Sequence, residues 1–366
     1  MNSACKIAIP FLFFIQYLGV GAIAQIVIIL FIAIELLRGA KFYLSDADKF
    51  LFFGVLAIFI FKTLHVSLAV NIHLFRFYWG FMLFYLFIII TKYKFNFLFF
   101  FWITAIISIT EGVLLNTIMP MGLLRNIPAG HTEMLMDEIN LGFVRRTYGL
   151  ASSPTSSATI MVMLLASIYT FQKEKFKNYF IIITAGALVA FGSGTGFFLF
   201  FIFLFVKYEL YKGFKFILGV LVVIVAVFFV LNQDINEGGI LQRMSGNYFD
   251  TLIELKSTQI SEAWGKINES VYNTIFGGSY KTIYDTRVMS DFGWIDFFEC
   301  YGLIGIPIFI SFLLLKKKFF IFPIMIMIVG YFHYPAIGTI PGGILIAAIL
   351  SYQMSNKNES IVIVKE

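Results

Sequence analysis

The chain has 366 residues, 60% of them hydrophobic and 13% charged. Its strongly positive mean hydropathy excludes a water-soluble domain of this length. The net charge of +6 does not point to nucleic acid, because the basic residues fall in short clusters between apolar runs and so report membrane topology. Cys5 and Cys300 lie far apart without partner histidines, which argues against a disulfide framework and a zinc site, and neither metal nor cofactor is expected.

In chain order, the first apolar run, residues 7 to 34, follows a single Lys6 and no convincing cleavage site, so it reads as a retained span. It either turns at Gly19-Val20-Gly21 or forms one long tilted helix. Five basic clusters then mark the cytoplasmic side: Arg38, Lys41 and Lys49; Lys92 and Lys94; Lys173, Lys175 and Lys177; Lys207, Lys212 and Lys215; Lys316, Lys317 and Lys318. A segment between two such clusters crosses an even number of times. Residues 50 to 70 therefore go out and 74 to 91 return, followed by 95 to 118 and 152 to 171. The run 178 to 206 is too short for two full spans, and Gly192-Ser193-Gly194-Thr195-Gly196 in its middle predicts two short or re-entrant helices meeting there. Residues 216 to 231 go out and 296 to 315 return. Residues 319 to 334 go out, turn at His333-Tyr334-Pro335 through Pro341-Gly342-Gly343 and come back. The expectation is one all-α polytopic membrane domain over 1–366, with about 12 spans, or about 11 if the first run is a single helix.

Two long connections, 119–150 and 232–295, fall on the outer side, where long loops carry function. The second holds Thr251-x-x-Glu254, a capping box, followed by Ile253, Ile260, Trp264 and Ile267 on one face, which predicts an amphipathic helix on the membrane surface.

Sorting the basic residues by side separates two kinds of charge. Of 17 cytoplasmic ones only Arg38 is arginine, whereas six of nine outer ones are: Arg76, Arg125, Arg145, Arg146, Arg243 and Arg287. Lysine suffices to set topology; the guanidinium fork grips phosphate through two parallel hydrogen bonds. The outer arginines therefore point to a phosphorylated ligand at the outer leaflet, or else pair with acids of the same loops. Lys62 and Glu111 fall inside spans, with His65, His73 and Arg76 close by, so a basic outer pocket and a Lys62–Glu111 pair holding two helices together are both open. His131 is a candidate general base, in competition with Asp291 and Asp296 of Asp291-Phe292-Gly293-Trp294-Ile295-Asp296. Arg287 and Asp291, one helical turn apart, serve a common chemistry or simply form an ion pair.

Taken together, Arg146-Thr147-Tyr148-Gly149 with Pro154 at a span entrance, the small-residue break at 192 to 196, the long outer loop, Gly277-Gly278, Asp291-x-Gly-Trp and Tyr301-Gly302-Leu303-Ile304-Gly305 resemble the O-antigen polymerase family of Wzy type. The chain departs from that pattern near the break, where members commonly carry Ser-Arg and this sequence has Ser193-Gly194-Thr195. Arg145, Arg146 and Arg287 are then the main counterparts of the family's substrate-gripping arginines, with Arg76 and Lys62 as further diphosphate ligands. The resemblance implies an undecaprenyl-diphosphate-linked oligosaccharide as substrate and metal-independent glycosyl transfer at the periplasmic face of the bacterial inner membrane. It also implies membrane lipid as surroundings, with a chain-length regulator and a flippase as pathway partners. The rival readings are the related O-antigen ligase, a flippase, which usually keeps outer loops short, and a membrane acyltransferase, for which no His and carboxylate pair is evident.

Overall fold

The computed structural model describes residues 3–16, 21–40, 42–117, 147–151, 153–210, 267–278, 293–332 and 336–352, with positions 254, 257–258, 260–262 and 264–265 between them. Among these residues every regular element is helical. The α-helices are α1 (Ser3–Ile15), α2 (Gly21–Leu37), α3 (Asp46–Thr63), α4 (Leu68–Tyr78), α5 (Phe81–Thr91), α6 (Phe97–Thr117), α7 (Pro154–Phe171), α8 (Tyr179–Phe191), α9 (Gly194–Lys207), α10 (Val271–Phe276), α11 (Gly293–Leu315), α12 (Phe322–Gly330) and α13 (Ile340–Ser351). Two of them, α7 and α11, are long and apolar enough to cross a membrane, and α4 with α5 make a third if the bent pair counts as one span.

The helices start where short polar side chains can take over orphan backbone N–H groups. Ser45 and Asp48 form a reciprocal capping box on α3, while Ser153, Ser193 and Thr339 cap α7, α9 and α13, with proline in the first turn of α7 and α13. The centre is α7, which packs on α6, α8, α9 and α12 and is fully buried from Ile160 to Ala166. Beside it, α13 is buried from Ile340 to Leu350 against α5 and α1.

Three breaks shape the bundle. Between α4 and α5 the chain bends by 63° at Trp79-Gly80. A Cβ on Gly80 would run into the Arg76 carbonyl oxygen, which accepts a hydrogen bond from Gln25 Nε2 at 3.3 Å. The predicted return span 74 to 91 thus forms as an angled pair beginning at Leu68. The predicted break at 192 to 196 forms as Gly192 in the left-handed region (φ 54°) followed by the Ser193 cap. Lys207 Nζ donates to Asn178 Oδ1 at 2.6 Å, so α8 and α9 close into a hairpin with its tip at Gly192-Ser193. The third break lies within α11, where Gly302 (φ 59°, ψ −161°) separates two half-helices in what the sequence predicts as one continuous span.

Residues of the lysine clusters gather at one end of the bundle. Lys316 pairs with the buried Asp48 at 2.8 Å, and Asp48 also accepts from Tyr85 Oη at 2.7 Å. Lys318 donates to the Tyr352 carbonyl at 2.6 Å, and the Tyr352 ring packs at a tilt against Phe171 and Phe97. The hairpin base, with Lys207, faces the same way. Between 254 and 267 every described residue is helical; Trp264 stacks on Phe298 of α11, and Ile267 is buried.

Candidate functional site

At the end opposite the lysines, two clusters of buried polar groups hold the chain. The first surrounds the turn Thr147–Ala151, which leads into α7. Gly149 adopts φ 59°, and a Cβ there would meet the Phe191 ring at 2.6 Å and Ser157 at 2.8 Å. The Glu111 carboxylate in α6 accepts from the N–H groups of Tyr148 (3.5 Å) and Gly149 (3.1 Å). Ser157 Oγ donates to the Tyr148 carbonyl at 2.6 Å and accepts from Ala151 N at 3.0 Å. Thr147 N donates to the Ala190 carbonyl at 2.9 Å, beside the tip of the α8–α9 hairpin. Gln16 bridges the Ala151 carbonyl (3.0 Å) and Ile340 N (2.7 Å), the first residue of α13. The positive dipole ends of α7, α9 and α13 therefore all point toward this turn.

The second cluster is built on Lys62, in the last turn of α3 and fully buried. Its ammonium donates to the carbonyl oxygens of Phe276 (3.1 Å), Gly278 (3.4 Å) and Cys300. An ammonium has three N–H donors, so these three acceptors saturate it, as a buried cation requires. The approach depends on glycine: a Cβ on Gly277 would strike the backbone of Cys300, and one on Gly302 the backbone of Ile275. Gly278 N closes the junction by donating to the Glu299 carbonyl at 2.8 Å. Tyr78, Trp79, Phe297 and Tyr301 pack edge to face around it, next to a cavity of about 10 Å³, room for at most one water.

Of the residues that the sequence singled out, Lys62 of α3 reaches the Cys300 carbonyl on the first half of α11, the half that also carries Asp296. Asp296 lies in its first turn, 9% exposed. Arg76 is exposed near the end of α4, whose Tyr78 and following Trp79 touch Phe297 and Tyr301. Of the two readings left open for Lys62, the pair with Glu111 does not form; each is engaged by backbone of a different cluster. The saturated Lys62 ammonium has no donor left for a diphosphate. His131, Arg145, Arg146, Arg287 and Asp291 lie outside the described residues. His65, exposed just past the end of α3, packs at a tilt against Tyr272, ring centroids 3.9 Å apart.

Sequence reasoning passed over Glu299, which is 2% exposed and three residues after Asp296 in an otherwise apolar helix. The rule that flagged Lys62 and Glu111, an ionisable group inside an apolar span, applies to it equally. Among the described residues no three His, Cys, Asp or Glu side chains group as metal ligands. No family model, curated protein or solved structure matches the chain.

Proposed function

We propose that the protein is a polytopic glycosyltransferase of the O-antigen polymerase type in the bacterial inner membrane, with about 12 crossings. In this reading 119–150 and 232–295 are periplasmic loops, and the enzyme joins undecaprenyl-diphosphate-linked repeat units into polysaccharide. The observation that carries the reading is the pairing of the segments behind the family resemblance. Thr147 beside Gly149 is hydrogen-bonded to the 192–193 break through Ala190, and Gly278 to the break of α11 through Glu299. Each is a main-chain contact from one motif to a residue two positions before another, Ala190 ahead of the 192–196 break and Glu299 ahead of Tyr301-Gly302.

The chemistry follows from the residue types. A sugar hydroxyl of one lipid-linked unit attacks the anomeric carbon of the glycan on another. The bond from that carbon to the diphosphate oxygen breaks, and undecaprenyl diphosphate leaves. Arg145, Arg146 and Arg287, with Arg76, neutralise the leaving charge, helped by the helix N-termini that converge near Gly149. A carboxylate, Asp291 or Asp296, or else His131, takes the hydroxyl proton.

Purified protein in nanodiscs supplied with undecaprenyl-diphosphate-linked repeat units should produce a polymer ladder and free undecaprenyl diphosphate. Arg145→Lys, Arg146→Lys and Arg287→Lys should shorten or abolish the ladder, because lysine cannot supply the bidentate fork, while Lys173→Arg leaves it intact. A deletion strain should keep single repeat units on its lipid core. A core with no glycan would indicate a ligase instead, and units stranded on the cytoplasmic side a flippase.

A further inference from the structure

We propose that Lys62 is a tethered cation occupying an ion site made by the broken helix α11, and through it a positioning residue for Asp296 and Glu299. Three carbonyls from two separate segments, Phe276 and Gly278 at the end of α10 and Cys300 at the break, converge on one ammonium. In the discontinuous helices of ion-driven transporters, unwound carbonyls and the negative end of a half-helix coordinate Na⁺. Here the half-helix from Gly293 ends next to the Gly302 break, and the Cys300 carbonyl belongs to its negative end. A side chain supplies the charge that a free ion supplies there.

The geometry leaves Lys62 no other partner of comparable strength. Glu111, the acid that could have paired with it, accepts from Tyr148 and Gly149 instead. Tyr301 adds its ring face 5.4 Å from Nζ. With Gly277 and Gly302 admitting the close approach, the ammonium ties the end of α3, the end of α10 and the break of α11 into one junction. The direction of the first half of α11 relative to the second is fixed there, and with it the two carboxylates on that half. The consequence for activity rests on the polymerase reading; the cation site itself does not.

The test uses the full chain in nanodiscs and follows both the melting temperature and polymer formation. Lys62→Ala should lower Tm by more than about 4 °C, because three hydrogen bonds to a charged donor are lost, and should abolish the ladder. The deleted atoms correspond to propylammonium. Added 1-propylammonium should restore at least half of the lost Tm and part of the ladder, while neutral 1-propanol should not. Lys62→Met, which fills the volume without the charge, should stay as unstable as Lys62→Ala and respond to neither. If Lys62→Ala cannot be recovered folded, recovery only from cells grown with propylammonium supports the proposal. Wild-type Tm in Lys62→Met, equal rescue by amine and alcohol, or no recovery in the presence of the amine each overturns it. Should wild-type protein make no polymer at all, the polymerase reading fails while the Tm comparison still decides the cation site.

Discussion

The two ends of the bundle hold themselves together differently. At the lysine-rich end the central contact is charge to charge: Lys316 pairs with Asp48, and Asp48 takes further hydrogen bonds from Tyr85 and Ser45, while Lys318 beside it binds the Tyr352 carbonyl. At the opposite end charge meets backbone, with Glu111 closing on two N–H groups and Lys62 on three carbonyls. An ion pair between side chains fixes two helices and little else. A charge bound to main chain fixes the path of a turn or a helix break, and such irregular backbone survives at membrane depth only when its polar groups are satisfied inside the protein. The end built from turns and breaks is the one that can present backbone and loops to a ligand.

The sharpest way to break this contrast is at Gly149. Gly149→Ala places a Cβ at positive φ and against Phe191 and Ser157, and should cost more than about 3 kcal/mol, read as a large fall in Tm and loss of the ladder. At the other end, Asp48→Asn should cost about 2 kcal/mol, since Lys316 keeps partial solvent contact while losing its partner. The double change Asp48→Asn with Lys316→Met should recover much of that, and activity should be normal in both variants because no turn is disturbed. Lys318 gives a smaller effect. Burial, and then the neighbouring Lys316 charge, push it down to about 8 from an ordinary 10.5. The folded protein therefore sheds this proton before the unfolded chain does, and stability should rise with pH from about 8 toward 10.5. Tm measured across that range should show the rise, and Lys318→Met should flatten it. Smallest of all is Lys49→Ala, which removes an exposed pair with Asp46 and should leave Tm unchanged.

Much of the helical framework was legible because its signals are local. The Ser153-Pro154 start of α7 and the Gly192-Ser193 hairpin tip follow from capping and from backbone preference, which act over a few residues. The clustering of lysines at one end follows from a composition rule. What could not be read were the partners of buried charges: the carbonyls that Lys62 binds lie more than 200 residues away in sequence. Side-chain logic suggested the oppositely charged Glu111, because a backbone carbonyl carries no mark in a sequence. The breaks at Gly80 and Gly302 were hidden for a related reason. A glycine inside an apolar run reads as a small packing residue until the neighbouring backbone that fills the space of its missing Cβ is known. Of the candidate site, Asp296 is marked by its motif, while Glu299 one turn on carries only the mark that Lys62 carries, an ionisable group inside an apolar helix.

The α8–α9 hairpin carries a consequence for the lipid around it. Its helices have 13 and 14 residues, so each is only about 20 Å long against a hydrocarbon core of about 30 Å. Their outer faces are strongly exposed at Ile182 and Phe201. A bilayer meeting this short wall must thin or tilt its acyl chains to match, at a fraction of a kcal/mol per Å. Any such thinning would lie beside the hairpin tip, which is bonded to the Thr147–Ala151 turn. In the polymerase reading proposed above, the shape of the membrane itself would lower the headgroup of a polyprenyl carrier toward that turn before any arginine reached it.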